Sequence, residues 1–219
     1  MIHAPILRYF PVFFNLYFFN HLYKTPYLFY NQFMRIFIGI KLDDRVHEEI
    51  ESFLKPFKKI SSPLRWVKPA NVHLTLKFIG EVSEEKYSQI ERGLGEVEFD
   101  TGPVALQLSG CGKFGRGDSL DIFWIGLVPS APLTEIFNKI ETTLAKIGIE
   151  KERRPFKPHL TVGRNKKTFN FKSFSGLMEE NSYRPVSQFT VSSFQVFKSQ
   201  LRPEGPIYTV LEEIPLVQA

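Results

Sequence analysis

From Met34 onward, apolar residues recur along the chain with two alternating periods. Arg35–Leu42 (RIFIGIKL) is a short, nearly continuous apolar run and predicts a buried strand. Asp43 can cap a helix directly after it, because Val46, Ile50, Phe53, Leu54 and Phe57 repeat at helical spacing. Pro56 is expected to kink or end that helix, since it lacks an amide hydrogen and its ring crowds the preceding turn. Strands are predicted at Arg65–Lys68 and Val72–Phe78, separated by Pro69. Ser83 can then cap a helix with Tyr87, Ile90 and Leu94 on one face. Val104–Ser109 and Leu120–Val128 read as strands around a glycine-rich turn. Ser130 and Pro132 open a further helix, lined by Ile136, Ile140, Leu144 and Ile147 and closed by Gly148. Strand signals return at His159–Gly163, Gln188–Lys198 and Ile207–Leu211. Three helices interleaved with about eight strands give a class of α+β or α/β.

The pattern repeats within itself. Phe37-Ile38-Gly39-Ile40 and Phe123-Trp124-Ile125-Gly126-Leu127 each begin a strand followed by an amphipathic helix. Each helix is followed by Lys-Pro and then by His-Leu-Thr, at His73 and at His159. Two copies are too few, and the period too long, for a solenoid. Two lobes with approximate twofold symmetry, holding equivalent strands beside a shared cleft, are the simpler expectation.

Residues 1–33 differ from the rest. They hold twelve of the chain's 32 aromatic side chains and no acidic residue. Arg8, Pro11, Asn15 and Asn20 interrupt their most apolar stretch, which argues against a spanning helix. An uninterrupted apolar run with a small-residue cleavage site, the mark of a secretory signal, is not visible either. The segment is expected to be an extension outside the native protein, with translation starting at Met34. The alternative is an extension that folds onto the body or onto a partner. Residues 34–219 then form the functional domain.

Composition narrows the classes further. The 219 residues are 43% hydrophobic and 23% charged, an ordinary balance for a chain with a packed core. Cys111 is the only cysteine, which excludes a disulfide scaffold within the chain and suits a reducing, cytoplasmic compartment. The formal charge of +5 suits an anionic ligand without demonstrating one.

The two His-Leu-Thr copies carry the chemistry. Side chains alternate along a strand, so His73 shares a face with Thr75, and His159 with Thr161, while the leucines anchor each strand from behind. Opposed imidazoles suit phosphodiester hydrolysis, which needs one proton removed from water and another delivered to the leaving oxygen. The threonine hydroxyls can donate to the non-bridging phosphoryl oxygens. No metal or other cofactor is required if the histidines carry both transfers. Nor does any Cys or carboxylate pattern complete a metal-ligand set around them. A single His-x-Thr would be weak evidence; the repetition gives it weight. His3, His21 and His47 lack such a context, His47 being expected on an exposed helix face.

At this point the sequence resembles the 2H phosphoesterases, and within them the RNA 2′,3′-cyclic phosphodiesterases (LigT/ThpR-like proteins, once called 2′-5′ RNA ligases). The resemblance runs from Met34 to about Val217 and rests on MRIFIGI, NVHLTLKFIG, GCGKFGRGDSLDIFWIGL, PFKPHLTVGR and FQVFKSQLRPEGPIYTVLEEIPL. It implies an α+β fold of two pseudo-twofold-related lobes, with antiparallel sheets lining a V-shaped cleft and helices outside. It also implies hydrolysis of RNA 2′,3′-cyclic phosphate ends to 2′-phosphomonoesters, with 2′-5′ ligation as a secondary activity. tRNA fragments are among the candidate substrates, and the enzyme is expected to act as a monomer with no membrane partner. By position His73 corresponds to the general acid and His159 to the general base, with Thr75, Thr161 and Arg164 binding phosphate. Strict alternation would turn Arg164 away from the cleft, unless a bulge at Gly163 redirects it. Phe78 and Phe156 also sit at family-like positions, where an aromatic is more often core than a stacking surface for a base. Cyclic phosphates on small nucleotide metabolites, and a non-catalytic RNA-binding module, are the competing readings.

Gly110-Cys111-Gly112-Lys113-Phe114-Gly115 satisfies G-x-G-x-x-G. A dinucleotide fingerprint must lead from a strand into a helix, whereas these glycines lead into another strand and predict a hairpin.

Overall fold

The computed structural model describes residues 33–60, 64–116, 119–165 and 172–218. The expectation for residues 1–33 therefore lies, but for Phe33, outside the described residues. Among the described residues, nine strands and four helices succeed one another: β1 (Met34–Lys41), α1 (Asp44–Lys59), β2 (Leu64–Trp66), β3 (His73–Val82), α2 (Glu84–Gly95), β4 (Val104–Phe114), β5 (Ile122–Leu127), α3 (Ala131–Lys146), β6 (His159–Asn165), α4 (Lys172–Glu180), β7 (Pro185–Val191), β8 (Ser193–Gln200) and β9 (Ile207–Pro215). Among the described residues, no helix is long and apolar enough to cross a membrane.

The helix starts coincide with the capping residues. The side chains of Asp43, Ser83 and Ser130 accept hydrogen bonds from the amides of Val46, Lys86 and Leu133, satisfying amides that the first turn leaves unpaired. Pro56 does not end α1, which runs on to Lys59. It forfeits the amide bond to the Ser52 carbonyl, but buried Phe53, Leu54 and Phe57 hold the turn on the core. β4 also runs further than its apolar pattern suggested, through Gly110 and Gly112 to Phe114, so only the end of the glycine-rich stretch turns. The single strand expected over Gln188–Lys198 is two strands broken at Ser192, and α4 was not anticipated.

The strands form one antiparallel sheet in the order β7-β4-β5-β6-β3-β1-β8-β9, with β2 also paired to β6. It consists of two four-stranded halves, and β3 and β6 join them at a single register point, Leu74 opposite Leu160. Both leucines are fully buried. The helices cross between the halves. α1 leaves β1 but packs on β7, and its Phe57 ring meets Phe123 of β5 and Phe174 of α4 at 5.0 and 5.4 Å. α3 leaves β5 but packs on β3 and α2. The expected two-part antiparallel body is present, with each half covered by the other's helix.

Candidate active site

The central register point sets the geometry of the site. With Leu74 opposite Leu160, the antiparallel register carries His73 toward Thr161 and Thr75 toward His159. All four lie on the face away from the leucines and are partly exposed. Two His–Thr pairs on separate strands are thereby brought together, crosswise.

Both rings are held alike. His73 Nδ1 lies 2.8 Å from the Asn71 carbonyl and His159 Nδ1 lies 2.7 Å from the Lys157 carbonyl, in each case two residues upstream. A carbonyl only accepts, so Nδ1 carries the proton and Nε2 is left for acid–base work. Aromatic walls fix the ring planes. His73 sits 4.7 Å from the Phe37 ring and 5.1 Å, edge to face, from Tyr208. His159 sits 4.9 Å, edge to face, from Phe114 and 6.3 Å from Trp124.

Burial holds the His73 ring below the ordinary imidazole value, opposed by its hydrogen bond to Asn71 and reinforced by the charges of Arg164 and His159. Burial lowers His159 too, opposed by its bond to Lys157 and reinforced by the charges of Lys157 and Arg164. The Lys157 ammonium lies 4.9 Å from the Trp124 ring centroid and 5.5 Å from that of Phe114, a cation–π seat beside His159.

Arg164 is redirected by a bulge. Between the pairs Trp124–Thr161 and Phe123–Gly163, β6 carries one extra residue, Val162. Val162 and Gly163 are both buried and Arg164 is exposed, so the alternation slips by one and Arg164 joins the histidine face. The glycine is not what demands this: its φ is not positive, and a Cβ there would make ordinary contact, 3.5 Å from Phe123. β3 has the matching bulge at Leu76, opposite Gly39 of β1, where a Cβ would come within 2.6 Å of the Leu74 carbonyl. That slip puts Phe78 on the histidine face with 67% of its surface exposed, at the position equivalent to Arg164. Phe156 does not join them; it stacks on Phe137 at 4.1 Å.

The glycine-rich stretch is a hairpin strand, as its context implied. A Cβ on Gly112 would meet the Trp124 ring at 2.2 Å, and one on Gly110 (φ +68°) would meet the Ser182 carbonyl at 1.9 Å. Gly112 therefore makes room for the aromatic wall of His159. His47 is not on an exposed face: its side chain is 13% exposed and its Nε2 lies 3.4 Å from the Val72 carbonyl. Sequence reasoning missed Tyr208, Phe114, Trp124 and Lys157. Only the glycine that accommodates Trp124 could have signalled any of them. Among the described residues, no three His, Cys, Asp or Glu side chains are grouped to hold a metal ion.

The LigT-like phosphoesterase model matches twice in succession, over residues 40–124 and 125–208, each match containing one His-x-Thr motif. The chain belongs to the LigT-like phosphoesterase family. It is 35% identical over 175 residues to the RNA 2′,3′-cyclic phosphodiesterase of Archaeoglobus fulgidus, covering 80% of this chain and 96% of that protein. It is 34% identical over 180 residues to the enzyme of the same name from Methanocaldococcus jannaschii, covering 82% and 99%. Among solved structures, the apo crystal structure of E. coli LigT superposes with a TM-score of 0.68 at 26% identity, covering 85% of this chain and 99% of that one. This LigT-like chain thus shares the fold of the family, as well as its sequence, over most of its length.

Proposed function

We propose that this protein hydrolyses RNA 2′,3′-cyclic phosphate ends to 2′-phosphomonoesters, with His159 as general base and His73 as general acid. The observation that carries this reading is the matched pair of rings, each with Nδ1 tied to a backbone carbonyl, on one face with two threonines and an arginine. The names of the curated relatives supply the substrate. His159 Nε2 takes a proton from water as its oxygen attacks phosphorus. The bond from phosphorus to O3′ breaks, and O3′ receives the proton of His73 Nε2. Thr75, Thr161 and Arg164 hold the non-bridging oxygens, where charge builds in the transition state. Both transfers are carried by imidazoles, so turnover persists in excess chelator. Replacing water with an RNA 5′-hydroxyl gives a 2′-5′ linkage, a secondary reaction. The enzyme works as a cytoplasmic monomer.

The test is incubation with a 2′,3′-cyclic-phosphate oligonucleotide in chelator, locating the phosphate on the product. A 2′-phosphate is expected, and His73→Ala and His159→Ala should each lose at least about 100-fold in turnover. A 3′-phosphate product, or turnover surviving both changes, overturns the assignment.

A further inference from the structure

We propose that Arg65 is a specificity residue, gripping the phosphodiester on the 5′ side of the terminal nucleotide so that oligonucleotide ends are preferred over free cyclic mononucleotides. This rests on the cyclic phosphodiesterase reading above. β2 takes up the edge of β6 where β3 has left it, and its register sets Arg65 directly opposite Arg164. Side chains directly opposite in an antiparallel pair point to one face with Cβ atoms about 5 Å apart, and like charges there repel. Both arginines are exposed, and among the described residues neither has a carboxylate partner. Arg65 Nη2 lies 3.5 Å from the Pro203 carbonyl, in the β8–β9 connection that leads into Tyr208 and its contact with His73. Arg65 thus lies beside the cleft face without being neutralised.

Two unneutralised guanidiniums side by side need an anion, and a phosphodiester chain supplies one at every nucleotide. The order Thr161, Arg164, Arg65 runs outward from the histidines: along β6, then across to β2. With the cyclic phosphate between the rings and Arg164 at its oxygens, the next phosphate along the chain falls to Arg65. A mononucleotide with a 5′-hydroxyl has nothing to offer it.

The test compares kcat/KM for a 2′,3′-cyclic mononucleotide with that for a pentanucleotide bearing the same end, across a series of KCl concentrations. In Arg65→Gln the ratio of pentanucleotide to mononucleotide kcat/KM should fall about tenfold. The log–log salt slope for the pentanucleotide should fall by about 0.7. Arg65→Lys should keep the salt slope while losing part of the ratio, because a point charge replaces a fork. An unchanged ratio, or equal losses on both substrates, overturns the proposal. If the wild-type protein turns over neither substrate, the catalytic reading fails separately. Anisotropy titration of a labelled pentanucleotide 2′-phosphate then decides on Arg65, with weaker binding by Arg65→Gln supporting it and equal binding overturning it.

Discussion

Lys77 Nζ lies 2.7 Å from Glu141 Oε1, and only 7% of either side chain is exposed. The same ammonium donates to the Glu150 carbonyl at 2.7 Å, and Glu141 Oε2 accepts from the Glu152 amide at 2.8 Å. The pair thus joins β3, which carries His73, to α3 and to the segment leading into His159. Breaking it strands a buried charge, which costs about 3–5 kcal/mol. Lys77→Met and Glu141→Leu should each destabilise by that order in urea unfolding. The double change should cost less than the sum of the two; an additive double mutant would show that the charges do not depend on one another.

The two rings should give a bell-shaped pH profile displaced toward acid. A lowered pKa favours the neutral ring, and both histidines are lowered, first by burial. The base works when neutral, so the acid limb of kcat/KM should fall below the ordinary imidazole value of about 6.5. The acid works when protonated, so its contribution fades as pH rises and the alkaline limb is drawn down too. A bound phosphodiester anion favours the imidazolium, so the alkaline limb of kcat should lie at higher pH than that of kcat/KM. The limbs belong to the coupled pair rather than to either ring. Coincident alkaline limbs would contradict this account.

Lys157 distinguishes the two histidines, since its cation lies beside His159 while Asn71 holds the matching position beside His73. Removing that charge relieves its repulsion of the His159 imidazolium, so the pKa should rise in Lys157→Met. The acid limb of kcat/KM should then move to higher pH, with the His159 ring titration seen by NMR moving the same way. Lys157→Arg should stay near the wild type. A limb that moves to lower pH in Lys157→Met would refute the electrostatic role.

Gly112 is the position where one carbon should do most harm to the aromatic wall. In Gly112→Ala the Trp124 ring must move or the strands must part, at a cost of about 1–3 kcal/mol. Tryptophan emission should shift, and turnover should fall further than stability alone explains, because His159 leans on that wall. Unchanged emission and turnover would mean that the methyl fits without moving the ring, and would contradict the close approach.

Much of this was legible in the chain. Asp43, Ser83 and Ser130 mark their helices because each supplies the oxygen that an open amide needs. The pairing of His73 with Thr75, and of His159 with Thr161, comes from alternation alone. The features that stayed hidden depend on partners distant in sequence. Arg164 could be placed only from the count of residues on β5, since a bulge is a property of two strands, and Phe78 was obscured by the same slip on β3. Tyr208 reaches His73 from the far end of the chain, and no local pattern announces that.

The crossed helices bear on how such a molecule could arise. A lone strand–helix unit would leave its own sheet uncovered while its helix reached for another, so it would complete itself only by exchanging helices with a second molecule. Joining two units in one chain turns that exchange into an internal one, freeing assembly from concentration. It also lets the two halves differ, one holding an arginine and the other a phenylalanine at equivalent positions.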